Sequence, residues 1–334
     1  MKILITGGCG FVGSNLAIYF KNNQIGTKIN TLDNLSRKGS LLNLKRLKKQ
    51  KIKNFKKDIS DYNNLKNLPK YDFIVDCCAE AAVEVSKRQT DKVFNTNLVG
   101  TFNLLKKCVK DKSNLIFLSS SRVYSIEDLR RLKKKNFLID EKFNTSGAKS
   151  IYGFTKYSSE QLIKEFSFLY KIKYIVNRLG VISGPWQFGK QDQGFVSLWV
   201  WKHINKKKIS YIGFGGKGSQ IRDVVHIDDV CKLVSKQMKK INSIYNLTLN
   251  VGGGRKSFTS LKNLTKLCQK ITSNKIKIFS KKTTSEYDIP YYVTNNSKVK
   301  AIYNWYPQKN IFNIVKDIYK WMILNKKVLK KYIK

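Results

Sequence analysis

Histidine, paired cysteines and long apolar runs are scarce in this chain of 334 residues, which contains 2 His and 6 Cys. The cysteines show no C-x-x-C or C-x-x-H spacing, so we expect them to be reduced and structural, with no metal site. No stretch approaches the ~20 apolar residues of a membrane helix, and the opening MKILITGG lacks signal-peptide anatomy. We therefore expect a cytosolic protein without a membrane span.

Acidic residues are also few, because 22 Asp and Glu stand against 65 Lys and Arg, giving a formal net charge of +43. Clustered basic residues favour nucleic-acid partners. Here the lysines are spread over nearly every segment, and no zinc finger or RNA-recognition motif is present. We expect no nucleic-acid partner, although a basic nucleic-acid-binding protein stays open as an alternative. The 42% hydrophobic residues predict a folded core rather than disorder.

The first half of the chain alternates short apolar runs with amphipathic segments. The runs KILIT, INTLD, FKKDI, FIVDCCA, LIFLSS and KYIVNRLG predict strands. Helices are predicted from Ser14 to about Lys21, near Asn97 to Lys110, and from Tyr152 to Tyr170. This rhythm predicts an α/β fold: a Rossmann-type doubly wound parallel sheet with a smaller, interleaved C-terminal lobe. We expect the sheet domain at 1–182, with return segments at about 222–252, and a mainly substrate-binding lobe at 183–334.

A glycine-rich turn follows the first predicted strand, where ITGGCGFVGSN contains Gly7, Gly10 and Gly13. Such a turn lets the backbone approach a pyrophosphate and directs helix N-terminal N–H groups at the anion. The next strand ends at Asp33, whose carboxylate would accept hydrogen bonds from an adenosine ribose. Together these features predict a dinucleotide site. NAD is favoured over NADP because a carboxylate there repels a 2′-phosphate, but the basic residues of DNLSRKG keep NADP open.

The segment YGFTK predicts a catalytic pair, because Tyr152 and Lys156 lie four residues apart on one face of a helix. A neighbouring ammonium stabilises a phenolate and lowers the pKa of the phenol from about 10, which makes the pair a proton acceptor. Tyr62 and Lys66 share this spacing but not the accompanying motifs. In FLSSS, Ser120 ends a predicted strand, where its hydroxyl can meet the substrate oxygen. Simple capping of the strand end is the alternative for this serine cluster.

Eight segments, in order along nearly the whole chain, resemble the extended short-chain dehydrogenase/reductase superfamily and its NAD-dependent nucleotide-sugar epimerases and dehydratases. They are TGGCGFVG, DNLSRKG, NTNLVGTFNLL, SSSRVY, YGFTK, RLGVISGPWQ, RDVVHIDD and NVGGG. Within that family, DNLSRKGS and GPWQFGKQDQG resemble the branch that epimerises a CDP-hexose at C2. The resemblance implies an NAD-dependent enzyme of cell-surface carbohydrate synthesis that forms a homodimer through the helices beginning near Asn97 and Tyr152.

The resemblance also implies roles for individual residues. Tyr152 would be the base, Lys156 would bind the nicotinamide ribose, and Ser120 would be the hydroxyl partner. The residues implied in cofactor binding are Tyr152, Lys156, Gly7, Gly10, Phe11, Val12, Gly13, Asp33, Asn34, Ser36, Arg37, Asp58, Ile59, Ala79, Asn97, Leu179, Gly180 and Val181. The residues implied in substrate binding are Ser121, Arg122, Trp186, Gln187, Gln193, Arg222 and Asp288.

One departure from the family pattern bears on the reaction. In the family's 4,6-dehydratases the hydroxyl residue is followed by Asp-Glu, the acid and base that eliminate water, whereas this chain has Ser121 and Arg122. Without those carboxylates we expect the reaction to stop at removal and return of hydride. The first hypothesis is a nucleotide-sugar epimerase acting at C2 of a CDP-hexose. A UDP- or dTDP-sugar 4-epimerase and a nucleotide-sugar oxidoreductase are the alternatives among enzymes.

Other departures concern the ends of the binding site. Glu80 and Glu84 follow the fourth strand, where the family often has histidine. Ser285 stands where the family usually has an arginine that contacts phosphate, so either Lys281 or Lys282 replaces that contact or nucleotide binding is altered. The segment 125–150 is either a substrate-facing excursion or a surface loop.

Overall fold

A computed structural model describes residues 1–81, 88–132, 137–190 and 193–333. The strands are β1 (Lys2–Thr6), β2 (Lys28–Leu32), β3 (Lys53–Phe55), β4 (Phe73–Asp76), β5 (Asn114–Ser120), β6 (Tyr174–Leu179), β7 (Val181–Ser183), β8 (Ile209–Ile212), β9 (Ile221–His226), β10 (Leu247–Val251), β11 (Phe258–Ser260), β12 (Ile278–Lys281) and β13 (Tyr291–Tyr292). The helices are α1 (Phe11–Asn22), α2 (Ser40–Lys49), α3 (Asn63–Lys66), α4 (Thr90–Phe94), α5 (Gly100–Asp111), α6 (Ile126–Arg131), α7 (Ile151–Tyr170), α8 (Phe195–Ile204), α9 (Ile227–Lys240), α10 (Leu261–Thr272), α11 (Ser297–Tyr303), α12 (Ile311–Leu324) and α13 (Lys326–Leu329).

Seven strands form the main sheet, in the order β10-β6-β5-β4-β1-β2-β3. Strand β1 pairs in parallel with β2 and β4, β2 with β3, and β4 with β5. An order that runs outward in both directions from β1 is that of a doubly wound sheet. The predicted α/β, Rossmann-type fold is confirmed.

The apolar composition of the central strands explains their position. A strand with helices on both faces is buried on both sides and reads as a nearly continuous apolar run. Accordingly Ile3, Leu4 and Ile5 of β1 and Ile74 and Val75 of β4 have no exposed surface. Side chains from the sheet and helices form one core cluster, which includes Leu4, Ile74, Leu104, Leu115, Phe117, Ile163 and Val176.

The chain divides into two compact units, each built from three segments. The first unit comprises Met1–Val123, Ser150–Arg178 and Cys231–Leu249, and the second comprises Tyr124–Lys149, Leu179–Val230 and Asn250–Lys334. The division into a domain at 1–182 with returns at about 222–252 and a lobe at 183–334 stays a prediction. In the second unit, β9 pairs in parallel with β7 and β13 and antiparallel with β11, and β8 pairs in parallel with β12.

Several element boundaries differ from the predicted ones for local reasons. Helix α1 begins at Phe11 rather than Ser14, because the Ser14 N–H already donates to the carbonyl of Gly10, its N-cap. The run FKKDI is a strand only at its first residue, since β3 ends there and Asp58 accepts hydrogen bonds from the N–H and hydroxyl of Ser60. The helix predicted near Asn97 is a π-helical turn (Asn95–Val99) that leads into α5.

Three global findings concern the features that the sequence lacks. None of the helices in the four described ranges is long and apolar enough to cross a membrane. Over the same residues no three His, Cys, Asp or Glu side chains are grouped to hold a metal ion. All six cysteines lie in the described ranges, and none of them forms a disulfide bond. Glu84 lies outside the described residues.

Candidate active site

The glycine turn between β1 and α1 has the shape that a bound pyrophosphate requires. Gly7 has a φ of +59°, which side-chain-bearing residues rarely adopt, and its carbonyl accepts the N–H of Gly10 at 2.9 Å. A Cβ at Gly13 would lie 2.4 Å from the oxygen of Gly7, so only glycine permits this approach of turn and helix. Phe11, Val12 and Gly13 form the first turn of α1, whose N–H groups are available to an anion.

Asp33, at the end of β2, is held beside this turn. Its Oδ2 accepts the N–H of Cys9 at 3.0 Å, and its Oδ1 accepts the N–H of Leu35 at 2.8 Å. Burial raises the pKa of Asp33, and these hydrogen bonds and the charge of Arg37 oppose the rise. The carboxylate keeps further lone pairs for ribose hydroxyls. Turn and acid together fit the adenosine diphosphate half of NAD.

The neighbouring loop carries the other predicted adenosine contacts. The Asn34 side-chain amide donates to Asp58 Oδ2 at 2.7 Å and its oxygen accepts the N–H of Ser36 at 3.0 Å. Burial raises the pKa of Asp58, but hydrogen bonds from Ser60 and Asn34 and the charge of Lys92 leave it lowered overall. The side chain of Ile59 packs into the hydrophobic core of the first unit. A contact between Ile59 and the adenine therefore has to come from its backbone.

Arg37 is engaged by Glu80, the residue found where the family often has histidine. The Arg37 guanidinium donates to Glu80 Oε1 at 2.8 Å and to the carbonyl of Ala79 at 3.3 Å. Lys92 Nζ lies 3.3 Å from Glu80 Oε2, and the Glu80 N–H donates to Asn97 Oδ1 at 2.8 Å. Because its charge is compensated, Arg37 is poorly suited to hold a 2′-phosphate, which agrees with NAD rather than NADP.

Two of the predicted catalytic residues, Ser120 and Tyr152, lie together in the first unit with Arg122, which was predicted to bind substrate. The Ser150 hydroxyl caps the N-terminus of α7 by accepting the Gly153 N–H at 3.1 Å, and Tyr152 lies in the first turn. Burial raises the pKa of Tyr152 above its ordinary value, and the neighbouring Ser120 hydroxyl and the charges of Arg122 and Arg37 oppose the rise without cancelling it. Ser120 Oγ also accepts the Arg122 N–H at 3.1 Å. The arrangement can hold a proton on the Tyr152 oxygen and pass it to a neighbouring oxygen.

Lys156 is buried one helical turn further along α7, with 1% of its surface exposed. Its Nζ lies 3.8 Å from the centroid of the Phe117 ring. Burial lowers the pKa of Lys156, and the negative charges of Asp76 and Glu160 oppose the fall. Among the described residues, Asp76 Oδ2 is buried without a hydrogen-bond partner. The lowering of the Tyr152 pKa by Lys156, which the family resemblance implies, stays a prediction.

The other Tyr-Lys pair has a different setting. Tyr62 precedes the four-residue helix α3, with Lys66 exposed at its end. Lys106 Nζ lies 3.8 Å from the centroid of the Tyr62 ring. The Tyr62 pair is thus a surface feature of α3 and α5.

Leu179, Gly180 and Val181 lie where β6 leads into β7. The Gly180 N–H donates to the carbonyl of Val251 at 2.8 Å, and a Cβ at Gly180 would lie 3.0 Å from Asp223 Oδ1. Asp223, which sequence reasoning missed, has no exposed surface and accepts the N–H groups of Gly254 and Thr294 at 2.9 and 3.2 Å. Burial raises the pKa of Asp223 to about 6. The only sequence signal was an acid directly before the apolar pair Val224 and Val225 of β9.

The residues predicted for the substrate loop have partners within the second unit. The Trp186 ring lies 5.5 Å from that of Trp321 and packs on the hydrophobic core. Gln187 Oε1 accepts the hydroxyls of Ser183 and Ser197 at 2.8 and 2.9 Å. Gln193 pairs with Lys190 through backbone hydrogen bonds. Substrate binding by Trp186, Gln187 and Gln193 stays a prediction.

Arg222 and Asp288, two further substrate candidates, form an ion pair in the second unit. Arg222 donates to Asp288 Oδ1 at 2.7 Å and to the carbonyl of Ile289 at 2.6 Å. Arg130 of α6 approaches the same turn, where it donates to the carbonyls of Asp288 and Ser285 at 2.9 and 2.8 Å. An arginine from the segment 125–150 therefore lies at the turn where the family's own arginine is replaced by Ser285, whereas Lys281 and Lys282 are exposed.

Comparisons with known proteins agree with this geometry. The model of the NAD dependent epimerase/dehydratase family matches residues 3–252. The chain is 29% identical over 343 residues to the CDP-paratose 2-epimerase of Salmonella typhi, covering 96% of this chain and 99% of that protein. It shares 26% identity and a TM-score of 0.84 with the UDP-glucose 4-epimerase of Thermotoga maritima solved with UDP-glucose, covering 98% and 100% of the two chains.

A third comparison shows the fold together with a bound cofactor. The UDP-glucose 4-epimerase of Thermus thermophilus, solved as a complex with NAD, has a TM-score of 0.83 and 21% identity, covering 97% of this chain and 99% of that one. The glycine turn, Asp33 and the buried Lys156 are the features of the present chain that fit the same dinucleotide.

Proposed function

Since the chain belongs to the NAD dependent epimerase/dehydratase family and uses NAD, we propose that it is a nucleotide-sugar epimerase that inverts C2 of a CDP-hexose, as in the conversion of CDP-paratose to CDP-tyvelose. The observation that carries the proposal is that Ser120 acts on the Tyr152 phenol and lowers its pKa, on the helix that carries the buried Lys156 one turn further on. A phenol, a hydroxyl and an ammonium are the groups that removal of an alcohol proton requires.

The reaction begins with loss of a proton from the sugar hydroxyl. Tyr152 as phenolate accepts that proton, Ser120 holds the reacting oxygen through its hydroxyl, and Lys156 stabilises the phenolate by its charge. NAD supplies the acceptor for the hydride of the same carbon and returns it afterwards. The keto-sugar rotates in the site so that the hydride returns to its other face, and Tyr152 gives the proton back to the alkoxide oxygen, which forms the new alcohol. The net redox change is zero, so the cofactor stays bound.

Epimerisation rather than dehydration is supported by the turn after β5. This 3-10 turn, Ser121–Val123, carries Arg122 where the family's dehydratases have an acid–base pair. An arginine is always protonated and cannot accept the proton that elimination would release. Its positive charge favours the phenolate of Tyr152 instead.

The choice of a CDP-hexose is supported by the relative from Salmonella typhi, which aligns over nearly its whole length, and by the segments DNLSRKGS and GPWQFGKQDQG. Arg222 and Asp288 of the second unit are the proposed contacts to the nucleotide. A UDP-sugar 4-epimerase is the second candidate, because the Thermotoga maritima enzyme shares the fold at 26% identity. A nucleotide-sugar oxidoreductase would differ from both by producing NADH in stoichiometric amount.

We further propose a homodimer formed by α5 and α7. Both helices expose large apolar side chains, among them Phe102, Phe154, Phe168 and Leu169. Exposed apolar surface of this kind favours association. Light scattering after size-exclusion chromatography should give a mass of two chains, and Phe168→Glu should reduce it to one. A cytosolic location and a part in cell-surface carbohydrate synthesis stay predictions.

Proton NMR of CDP-paratose with the purified protein and catalytic NAD tests the proposed reaction. The H1 and H2 couplings should change to those of the tyvelose configuration without accumulation of NADH. Parallel incubations with UDP- and dTDP-hexoses identify a 4-epimerase. A folded, NAD-loaded protein that converts only the UDP- or dTDP-sugars would refute the CDP-hexose assignment. Salt-sensitive RNA retention that persists in Tyr152→Phe, without bound NAD, would instead favour a nucleic-acid-binding protein.

A further inference from the structure

Glu160 of α7 forms a buried three-residue network behind the Tyr-Lys pair. It lies eight residues after Tyr152 and four after Lys156, so that all three side chains share one face of the helix. Glu160 has no exposed surface and accepts a hydrogen bond from the Ser119 hydroxyl. The Arg178 guanidinium donates to Glu160 Oε2 through Nε at 3.1 Å and Nη2 at 2.8 Å.

This network joins the elements that carry the proposed catalytic groups. Ser119 precedes Ser120 in β5, Arg178 lies in the adjacent strand β6, and Glu160 belongs to α7. Helix α7 therefore meets β5 at two points: the Ser119 hydroxyl donates to Glu160, and Ser120 acts on the Tyr152 phenol. The two points are ~12 Å apart along the helix at 1.5 Å per residue. Two such points determine both the tilt and the register of the helix on the strand.

Stability alone does not account for these buried charges. Removing two ions from water is costly, and well-packed apolar side chains of similar volume are often as stable as a buried ion pair. A fork-shaped guanidinium on a carboxylate has, however, a strict geometry. A buried network of this kind is suited to fix one arrangement of its elements, and near Lys156 it also keeps a negative charge that favours the ammonium.

We propose that Glu160, Arg178 and Ser119 are positioning residues that hold the Ser120 hydroxyl and the Tyr152 phenol in their reactive arrangement. This inference rests on the proposed function of Tyr152 and Ser120. None of the three residues touches the reacting atoms; they act through the strand end and the helix face.

The test uses the NAD-loaded full chain and variants of the network. Glu160→Gln keeps the shape but removes the charge, Arg178→Met removes the fork, and Arg178→Lys restores part of it. Lys107→Met is the matched control, because Lys107 and Asp111 form another strongly buried ion pair of the first unit, at 2.6 Å on α5. The readouts are kcat and KM well below each melting temperature, and hydrogen exchange of the peptide 119–123. That peptide contains the Arg122 N–H, which donates to Ser120 Oγ.

Glu160→Gln and Arg178→Met should lower kcat by roughly 10- to 100-fold with little change in KM, the effect of misplaced reacting groups. Hydrogen exchange of the peptide 119–123 should become faster in the same two variants. Arg178→Lys should recover part of the kcat and part of the protection from exchange. Lys107→Met should be less stable but should keep the kcat and the exchange rate of the wild type. Variants that lose stability with unchanged kcat and unchanged exchange would overturn the inference. If the wild type turns over no nucleotide sugar, the proposed function fails, while the exchange of the peptide still decides whether the network holds the strand end.

Discussion

The ammonium of Lys156 lies 3.8 Å from the centroid of the Phe117 ring, and both side chains are buried in the first unit. A cation over an aromatic face is attracted by the negative charge of the ring face, most strongly where water is excluded. Burial lowers the pKa of Lys156. The Phe117 ring therefore helps the site to keep a charged lysine in a place that disfavours charge.

Phe117→Leu should weaken this support. Without the ring the pKa of Lys156 falls further, so the ammonium is lost at a lower pH and the alkaline limb of the kcat profile moves to lower pH. At neutral pH the loss of kcat should stay below about thirtyfold, in keeping with the ~0.5–2 kcal/mol of a cation–π contact. Phe20→Leu, an equally buried phenylalanine on α1, controls for lost packing. An alkaline limb that does not move in Phe117→Leu would refute this role.

Tyr152→Phe should lower the turnover rate by about 10²- to 10⁴-fold, which is the contribution expected of a general base, while NAD stays bound. Tyr62→Phe is the matched control, because Tyr62 and Lys66 have the same spacing across the short helix α3, which Tyr62 precedes. Its turnover should equal that of the wild type. The measurement is single-turnover kinetics together with NAD content after gel filtration. Equal losses of turnover in Tyr152→Phe and Tyr62→Phe would contradict a specific catalytic role for Tyr152.

Arg130→Ala should raise the KM for the nucleotide sugar severalfold and leave kcat nearly unchanged. The reason is that Arg130 holds the carbonyls of Ser285 and Asp288, and Asp288 is the partner of Arg222. Arg131→Ala is the control, since this neighbouring exposed arginine pairs with Glu127 on its own helix. Steady-state kinetics and inhibition by the free nucleoside diphosphate measure the effect. Equal KM values for the two variants would contradict it.

Asp223 should make the second unit less stable as the pH rises. Burial raises the pKa of Asp223 from its ordinary value of 3.8 to about 6, so the folded protein binds more protons than the unfolded chain between these values. The stabilisation is fully present below pH ~4 and is lost as the pH rises through 6, a change of order 3 kcal/mol.

Urea unfolding of the wild type and Asp223→Asn from pH 4 to pH 7 measures this linkage. The difference in unfolding free energy between the two proteins should shift in favour of Asp223→Asn as the pH rises, because asparagine does not titrate. The other carboxylates cancel in the difference. A difference that stays constant over the range would show that Asp223 ionises normally.

Local chemistry explains which parts of the site could be predicted. Tyr152 and Lys156 lie on one helix face because their spacing fixes it, and the glycine turn depends on positions such as Gly7 that only glycine occupies easily. The alternating apolar runs were sufficient for the doubly wound sheet, because strands buried on both faces must be apolar.

Contacts between distant segments could not be read in the same way. Glu160 and Arg178 are 18 residues apart, and Arg130 and Ser285 are 155 apart, so no periodicity links either pair. The aromatic-rich substrate loop is a similar case, because composition does not say which side of a loop faces the core. The structure packs Trp186 on Trp321, a contact that required the folded second unit.

Transient oxidation at C2 is tested most directly with CDP-paratose that carries deuterium at C2, incubated in ordinary water with the NAD-loaded protein. The account predicts CDP-tyvelose that retains the deuterium at C2, because the hydride taken from that carbon returns to it, with no accumulated NADH. Product that has exchanged the label for solvent hydrogen would mean that a proton, not a hydride, leaves C2, and would contradict the account.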